Sequence, residues 1–216
     1  MRHYEHTVDA LRAALLMYQR GYRYGVTFEV DISKLDAIAA KFDANFGTNL
    51  PGWKRYERRK KGLPNAWACS FPIGQRKAQV LLMMDSTPDD LRDFDATSPW
   101  ARERWRPVES LEIAAYSIAC DRRDRGDWAY TFRLSPRVLR GLQDYWRMLG
   151  SSHLEQLVFE AERAVASYAL FGGVRRQLRR LIRGYAKLYQ RKIGKPWPGP
   201  DPEQLPFVAG FRKGDA

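Results

Sequence analysis

An α+β fold is predicted for this chain: a small, mainly antiparallel sheet with a packed helix, followed by a three-helix C-terminal region. Three observations predict it. Short β-branched and aromatic runs, bounded by Gly, Pro and Asp, dominate up to residue 135. From Pro136 to residue 195 the apolar residues recur instead at helical spacing. Strands first and helices afterwards is the α+β order. The implied organisation is an α+β domain over 1–135, a helical region over 136–195 and a Pro-rich extended tail over 196–216.

The elements follow in order. Thr7 or Asp9 caps a first helix through Leu11, Leu15, Leu16 and Tyr18, ending near Gly21. "YGVTFEVD", from Tyr24, reads as a strand. "DISKLDAIAAKFDANFG" reads as a helix capped by Asp31 or Ser33, with an apolar face of Ile32, Leu35, Ile38, Ala39, Phe42 and Phe46, stopped by Gly47. "PGWKRYERRKKGLPNA" is a polar, strongly basic loop between Pro51 and Pro64. "AWACSFPI" and "KAQVLLMMD" flank "GQR" as a hairpin, with Pro72 at a strand end. "STPDDLRDFDATSPW" is an acidic loop or short helix. "LEIAAYSIACDRRDRGDWAYTFRLS" reads as a second hairpin with "DRRDRGD" as its connection, although "LEIAAYSIA" alone reads equally as helix.

Three helices come next. Ser135 and Pro136 open the first as N-cap and first residue. Ser151 or Ser152, with Glu155 placed for a capping box, opens the second, which stops at Gly172 and Gly173. The third is "GGVRRQLRRLIRGYAKLYQRK". Five prolines within eleven residues, Pro196 to Pro206, then favour extended chain.

The chain has 216 residues, 13% of them aromatic, which is enough for a real core and excludes a disordered tail. Its formal charge is +12, which favours a polyanionic partner, nucleic acid or an anionic membrane surface. The excess is concentrated. Residues 53–61 hold Lys54, Arg55, Arg58, Arg59, Lys60 and Lys61 against Glu57 alone. Residues 171–195 hold nine basic residues and no acid. The other 182 residues together carry −2.

On the last helix, Val174, Leu178, Leu181, Ile182, Tyr185, Leu188 and Tyr189 form an apolar face, and Arg175, Arg176, Arg179, Arg180, Arg183, Lys187 and Arg191 take the rest. In the first cluster, Trp53 and Tyr56 interleave with the cations. That pattern suits stacking on bases, and it equally suits a satellite core beneath the loop. If both basic segments grip phosphates, each neutralised phosphate steepens the salt dependence by roughly 0.9 in log–log slope.

Cys69 and Cys120 lie in apolar runs, outside any CxxC pair, and read as buried free thiols of a reducing compartment. No apolar run reaches about 18 residues, and the N-terminus carries no signal-peptide pattern, so a cytoplasmic location without a membrane span is expected. No Walker loop, GxSxG, HExxH or GxGxxG is present, and no cofactor is expected. His3 and His6 are spaced for one helix face, as a metal pair or a frayed terminus. Asp85, Asp89, Asp90, Asp93 and Asp95 form an acidic patch, as a Mg²⁺ site, a solvated loop or an internal partner of the basic segments. Gly173 leaves backbone N–H groups free at the start of the last helix.

Strand, helix and hairpin followed by Tyr185-Ala-Lys-Leu-Tyr189 resembles the rolling-circle replication initiators and relaxases of plasmids and phages. The resemblance implies a helix-borne tyrosine that attacks a DNA phosphate and a His-hydrophobic-His pair on a central strand that binds a divalent metal. "KAQVLLMM" matches that strand, but Lys77 and Gln79 stand where the histidines are expected, so no metal site is implied here.

The expected function is phosphate neutralisation on nucleic acid, DNA of a plasmid, phage or integrated element, by a catalytically inactive initiator relative. The expected contacts are Trp53, Lys54, Arg55, Arg58, Arg59, Lys60, Lys61, Arg175, Arg176, Arg179, Arg180, Arg183, Lys187 and Arg191. Two alternatives remain. One is a regulator of plasmid transfer or replication that docks on a protein through the basic helix and Pro-rich tail. The other is a DNA nickase using Tyr185 or Tyr189.

Overall fold

Strand β4 (Lys77–Met84) has an apolar side chain at six of its eight positions, and all six are buried. A strand buried on both faces requires such a run. A computed structural model, which describes residues 1–86, 104–122 and 127–208, places β4 in the middle of a five-stranded sheet. Strand β2 (Tyr24–Asp31) pairs antiparallel with one side of β4, from Tyr24↔Met84 to Asp31↔Lys77. Strand β3 (Ala66–Pro72) pairs antiparallel with the other, from Ala66↔Met84 to Pro72↔Ala78. Strand β1 (Arg2–His3) lies parallel to β3, and β5 (Arg106–Pro107) antiparallel to β2. The fold is α+β, with a mainly antiparallel sheet and helices toward the C-terminus.

Helix α2 (Leu35–Phe46) covers one face of this sheet. Phe42 and Phe46 pack with Val26, Ala68, Val80, Leu82 and Trp105. Phe42 meets Phe28 edge-on, with ring centroids 6.2 Å apart, and Phe46 at 5.7 Å. Gly47 ends α2 in the left-handed region at φ 64°. Asp31 and Ser33 make no cap, because a 3₁₀ turn, Ile32–Lys34, precedes the helix and Asp31 makes no side-chain cap bond. Ile32 is accordingly exposed. Helix α1 (Thr7–Gln19) packs against β3, with Ala10, Leu11, Ala14 and Tyr18 among its buried residues. His6, not Thr7 or Asp9, holds its N-cap position.

The basic stretch after Pro51 is helical rather than a loop: α3 spans Gly52–Lys60. Pro51 supplies the extended residue before it, and Arg58, Arg59 and Lys60 in the last turn face the negative end of its dipole. No residue of α3 is buried, and apart from Trp53 and Tyr56 it has no apolar side chain to form a core-facing stripe, so the stretch reads as a polar loop.

Strands β6 (Tyr116–Arg122) and β7 (Trp128–Leu134) form a separate two-stranded sheet. Helices α4 (Pro136–Ser152), α5 (Leu154–Ser167) and α6 (Gly172–Ile193) follow. The chain divides into two compact units after Ile118, and in the second β7 packs with α6. Within the second unit, Phe132, Leu134, Trp146, Leu149, Leu157, Ala161, Phe171, Val174, Leu178 and Ile182 are buried.

Ser135 caps α4 by accepting from Val138 N, with Pro136 next. Helix α4 runs on through Ser151 and Ser152, so neither caps α5, which starts after His153 without a side-chain cap. Helix α5 stops at Ser167, and Gly172 and Gly173 open α6 rather than closing α5. Of the cysteines, Cys69 is buried, but Cys120 is exposed. Asp89, Asp90, Asp93 and Asp95, residues 123–126 of the second hairpin's connection and residues 209–216 of the tail lie outside the described residues.

Phe42 is fully buried between α2 and the sheet. Phe42→Ala is expected to lower unfolding free energy by about 3–5 kcal/mol. Urea unfolding of the full chain checks this; an unchanged midpoint would place α2 outside the core.

Candidate nucleic-acid interface

Helix α6 is divided lengthwise by its sequence. Val174, Leu178 and Ile182 are buried, and Leu181, Tyr185, Leu188 and Tyr189 are half-buried beside them. That face is held on β7 at its N-terminal end. A Cβ added to Gly173 would come 2.4 Å from the Phe132 carbonyl oxygen, so only glycine permits this approach. Gly173 N donates to Thr131 Oγ1 at 3.2 Å. The Gln177 amide accepts from Leu134 N at 2.8 Å and donates to Leu134 O at 3.4 Å.

With the apolar face fixed inward, the basic face points outward. Arg176, Arg180, Arg183 and Lys187 follow at i, i+4, i+7 and i+11, one stripe about 16 Å long at 1.5 Å per residue. They line, with Arg179 and Gly184, a groove of about 460 Å³. Five cations line this one depression, and a guanidinium fork is the chemical match for two oxygens of a phosphate or carboxylate.

Several of these cations already hold an internal partner. Asp121 is buried and receives both Arg133 and Arg176; Arg133 Nε donates to it at 3.1 Å. A buried carboxylate needs such pairing. Arg176 also donates to the Arg122 carbonyl at 3.0 Å. The tail folds back along α6. Arg183 Nε donates to Glu203 Oε1 at 2.7 Å, Arg179 Nε to Pro202 O at 3.0 Å, and Arg175 to Glu203 O at 3.3 Å. Arg179 also lies 3.9 Å from the Glu203 carboxylate. Leu205 is buried, and Trp197 meets Tyr189 edge-on at 5.6 Å. Arg180, Lys187 and Arg191 have no side-chain partner among the described residues. Nothing local marks Glu203 in the sequence as a partner of these arginines, because it stands ten residues beyond the end of α6.

In the first unit, the six basic residues of the α3 region separate into two kinds. Arg55 turns inward, donating to Leu50 O at 2.9 Å and Thr48 O at 2.6 Å. Arg58 grips Pro64 O through Nε at 3.0 Å and Nη2 at 2.8 Å. These two tether the helix. Lys54, Arg59, Lys60 and Lys61 are exposed, with Arg59 3.4 Å from Asp85. Trp53 and Tyr56 are exposed as well, so they form no satellite core.

The tyrosine pair is packed. Tyr185 lies edge-on to Trp146 at 5.7 Å and against Gly150. Burial lifts its hydroxyl above the usual tyrosine value, the nearby Asp144 adding to the lift and Arg147 opposing it. That is the reverse of nucleophile activation. Lys77 lies 3.8 Å from Glu29, and Gln79 holds the segment just before β6, donating to Glu112 O and accepting from Ala114 N. His3 sits in β1 with Nδ1 2.6 Å from Ser70 Oγ, while His6 precedes α1, so the two share no helix. Among the described residues no cluster of three His, Cys, Asp or Glu is placed to hold a metal, and no helix is long and apolar enough to cross a membrane. No family model matches the chain, and no curated protein or solved structure matches it.

Gly173→Ala is expected to destabilise the second unit by about 1–3 kcal/mol through backbone displacement. Gly184→Ala, on the same helix with open space around it, is expected to stabilise by about 0.5–1 kcal/mol. Thermal unfolding of both variants checks the opposite signs. A tyrosine whose folded pKa is raised stabilises fully below its unfolded value, about 10, and loses that contribution as pH rises through the folded value. Tyr185→Phe should therefore soften the alkaline loss of stability, measured as melting temperature against pH.

Proposed function

We propose that this chain is a cytoplasmic nucleic-acid-binding protein that neutralises phosphates through the basic face of α6, assisted by the exposed cations of α3. One observation carries the reading: Arg179, Arg180, Arg183 and Lys187 line a single groove, with Arg176 held at its edge by Asp121, while the opposite face of the helix is committed to packing. The Glu203 carboxylate against Arg183 supports it, since the same fork accepts a phosphate. The resemblance to initiators and relaxases suggests DNA of a plasmid, phage or integrated element as the ligand. Lys77, beside Glu29, and Gln79, bonded to Glu112 O and Ala114 N, are both engaged internally, which favours a binding role over strand cleavage.

The test is a salt titration of binding to a DNA oligomer. Affinity should fall linearly on a log–log plot, and Arg180→Ala and Lys187→Ala should each reduce the slope by about 1. Glu203→Gln removes a competing anion and should tighten binding. Affinity insensitive to salt would sink the reading.

A further inference from the structure

Helix α3 exposes its two aromatic residues and keeps its anchors elsewhere. Trp53 and Tyr56 are 60% and 58% exposed and stand three residues apart, on neighbouring positions of one face. Each has a lysine over its ring. Lys54 Nζ lies 5.3 Å from the Trp53 centroid, and Lys60 Nζ lies 4.8 Å from that of Tyr56. The helix is held through Arg55 and Arg58, which bond to backbone carbonyls at its two ends. Neither ring contributes to that attachment. Packing therefore does not account for them.

We propose that α3 is a stacking platform for single-stranded nucleic acid, with unpaired bases lying on Trp53 and Tyr56 and the adjacent phosphates on Lys54 and Lys60. This rests on the nucleic-acid reading above and specifies the strand state. Bases within a duplex are already stacked and offer no face to a side chain, whereas unpaired bases do. The charge is complementary, since Glu57 is the only acid of α3. A lipid surface fits less well. An interfacial helix buries a whole apolar face, and α3 has no apolar residue besides these two rings over its nine positions.

The test uses the full chain with a labelled oligothymidylate, a DNA duplex of equal length, and phosphatidylcholine vesicles containing phosphatidylserine. Trp53→Ala and Tyr56→Ala should each weaken oligothymidylate binding by about 5- to 150-fold, the range that stacking of one base implies. Duplex binding should stay within about twofold, and Trp53→Phe should recover most of the loss. Both rings are exposed, so melting temperatures should match the parent chain. Equal losses on both nucleic acids, no loss on either, or vesicle binding that depends on Trp53 and exceeds oligothymidylate binding would overturn the proposal. If both ring variants bind like the parent while Arg180→Ala weakens binding, the platform fails and the α6 reading survives. If the parent chain binds neither oligomer, both fail.

Discussion

The contact between α6 and β7 orders everything else in the second unit. Gly173 brings the helix onto the strand backbone closely enough that any side chain would collide with Phe132 O. Four residues later, Gln177 clasps both polar groups of Leu134, supplying backbone hydrogen bonds that a neighbouring strand otherwise would. These two contacts set the rotation of α6 about its axis. Once that rotation is set, Val174, Leu178 and Ile182 face the core, and the arginines between them emerge together. The charged groove is thus a consequence of how the apolar face is seated.

Concentrated charge repels itself, and the protein offsets part of it with acids placed at defined points. Asp121 sits buried beneath Arg176 and Arg133, where it fixes the helix start to the hairpin. Glu203, delivered by a tail anchored through Leu205 and by the Trp197–Tyr189 contact, sits beside Arg179 and Arg183 at the surface. The two acids differ in what they permit. Asp121 is enclosed and its pairs are structural, whereas Glu203 is solvent-exposed, where an ion pair is worth little and an incoming polyanion competes easily.

Much of this was legible in the sequence because it is local. The strand "YGVTFEVD" spans Tyr24–Asp31 as read, the β3–β4 hairpin flanks its turn as read, and Ser135–Pro136 opens α4. What escaped depends on contacts between distant residues. Gly172 and Gly173 look like a helix stop until β7 explains the need for a missing side chain. Helix α3 lacks a buried face, and only Trp53 and Tyr56 repeat there at helical spacing, too few to mark a helix. Arg55 and Arg58 have the composition of phosphate ligands, yet backbone carbonyls at Thr48, Leu50 and Pro64 claim their guanidinium groups. The basic stripe of α6 was visible from spacing alone; the carboxylate lying on it was not, because "PGPDPEQLP" does not say that it turns back.

Arginine-selective NMR reaches the central claim most directly. The Nε–Hε resonances of Arg179, Arg180 and Arg183 would be followed as an oligonucleotide is added to the full chain. The account predicts that all three move together and saturate with the binding curve, and that Glu203→Gln alters the starting position of Arg183. Resonances that stay fixed while the oligonucleotide binds would contradict it.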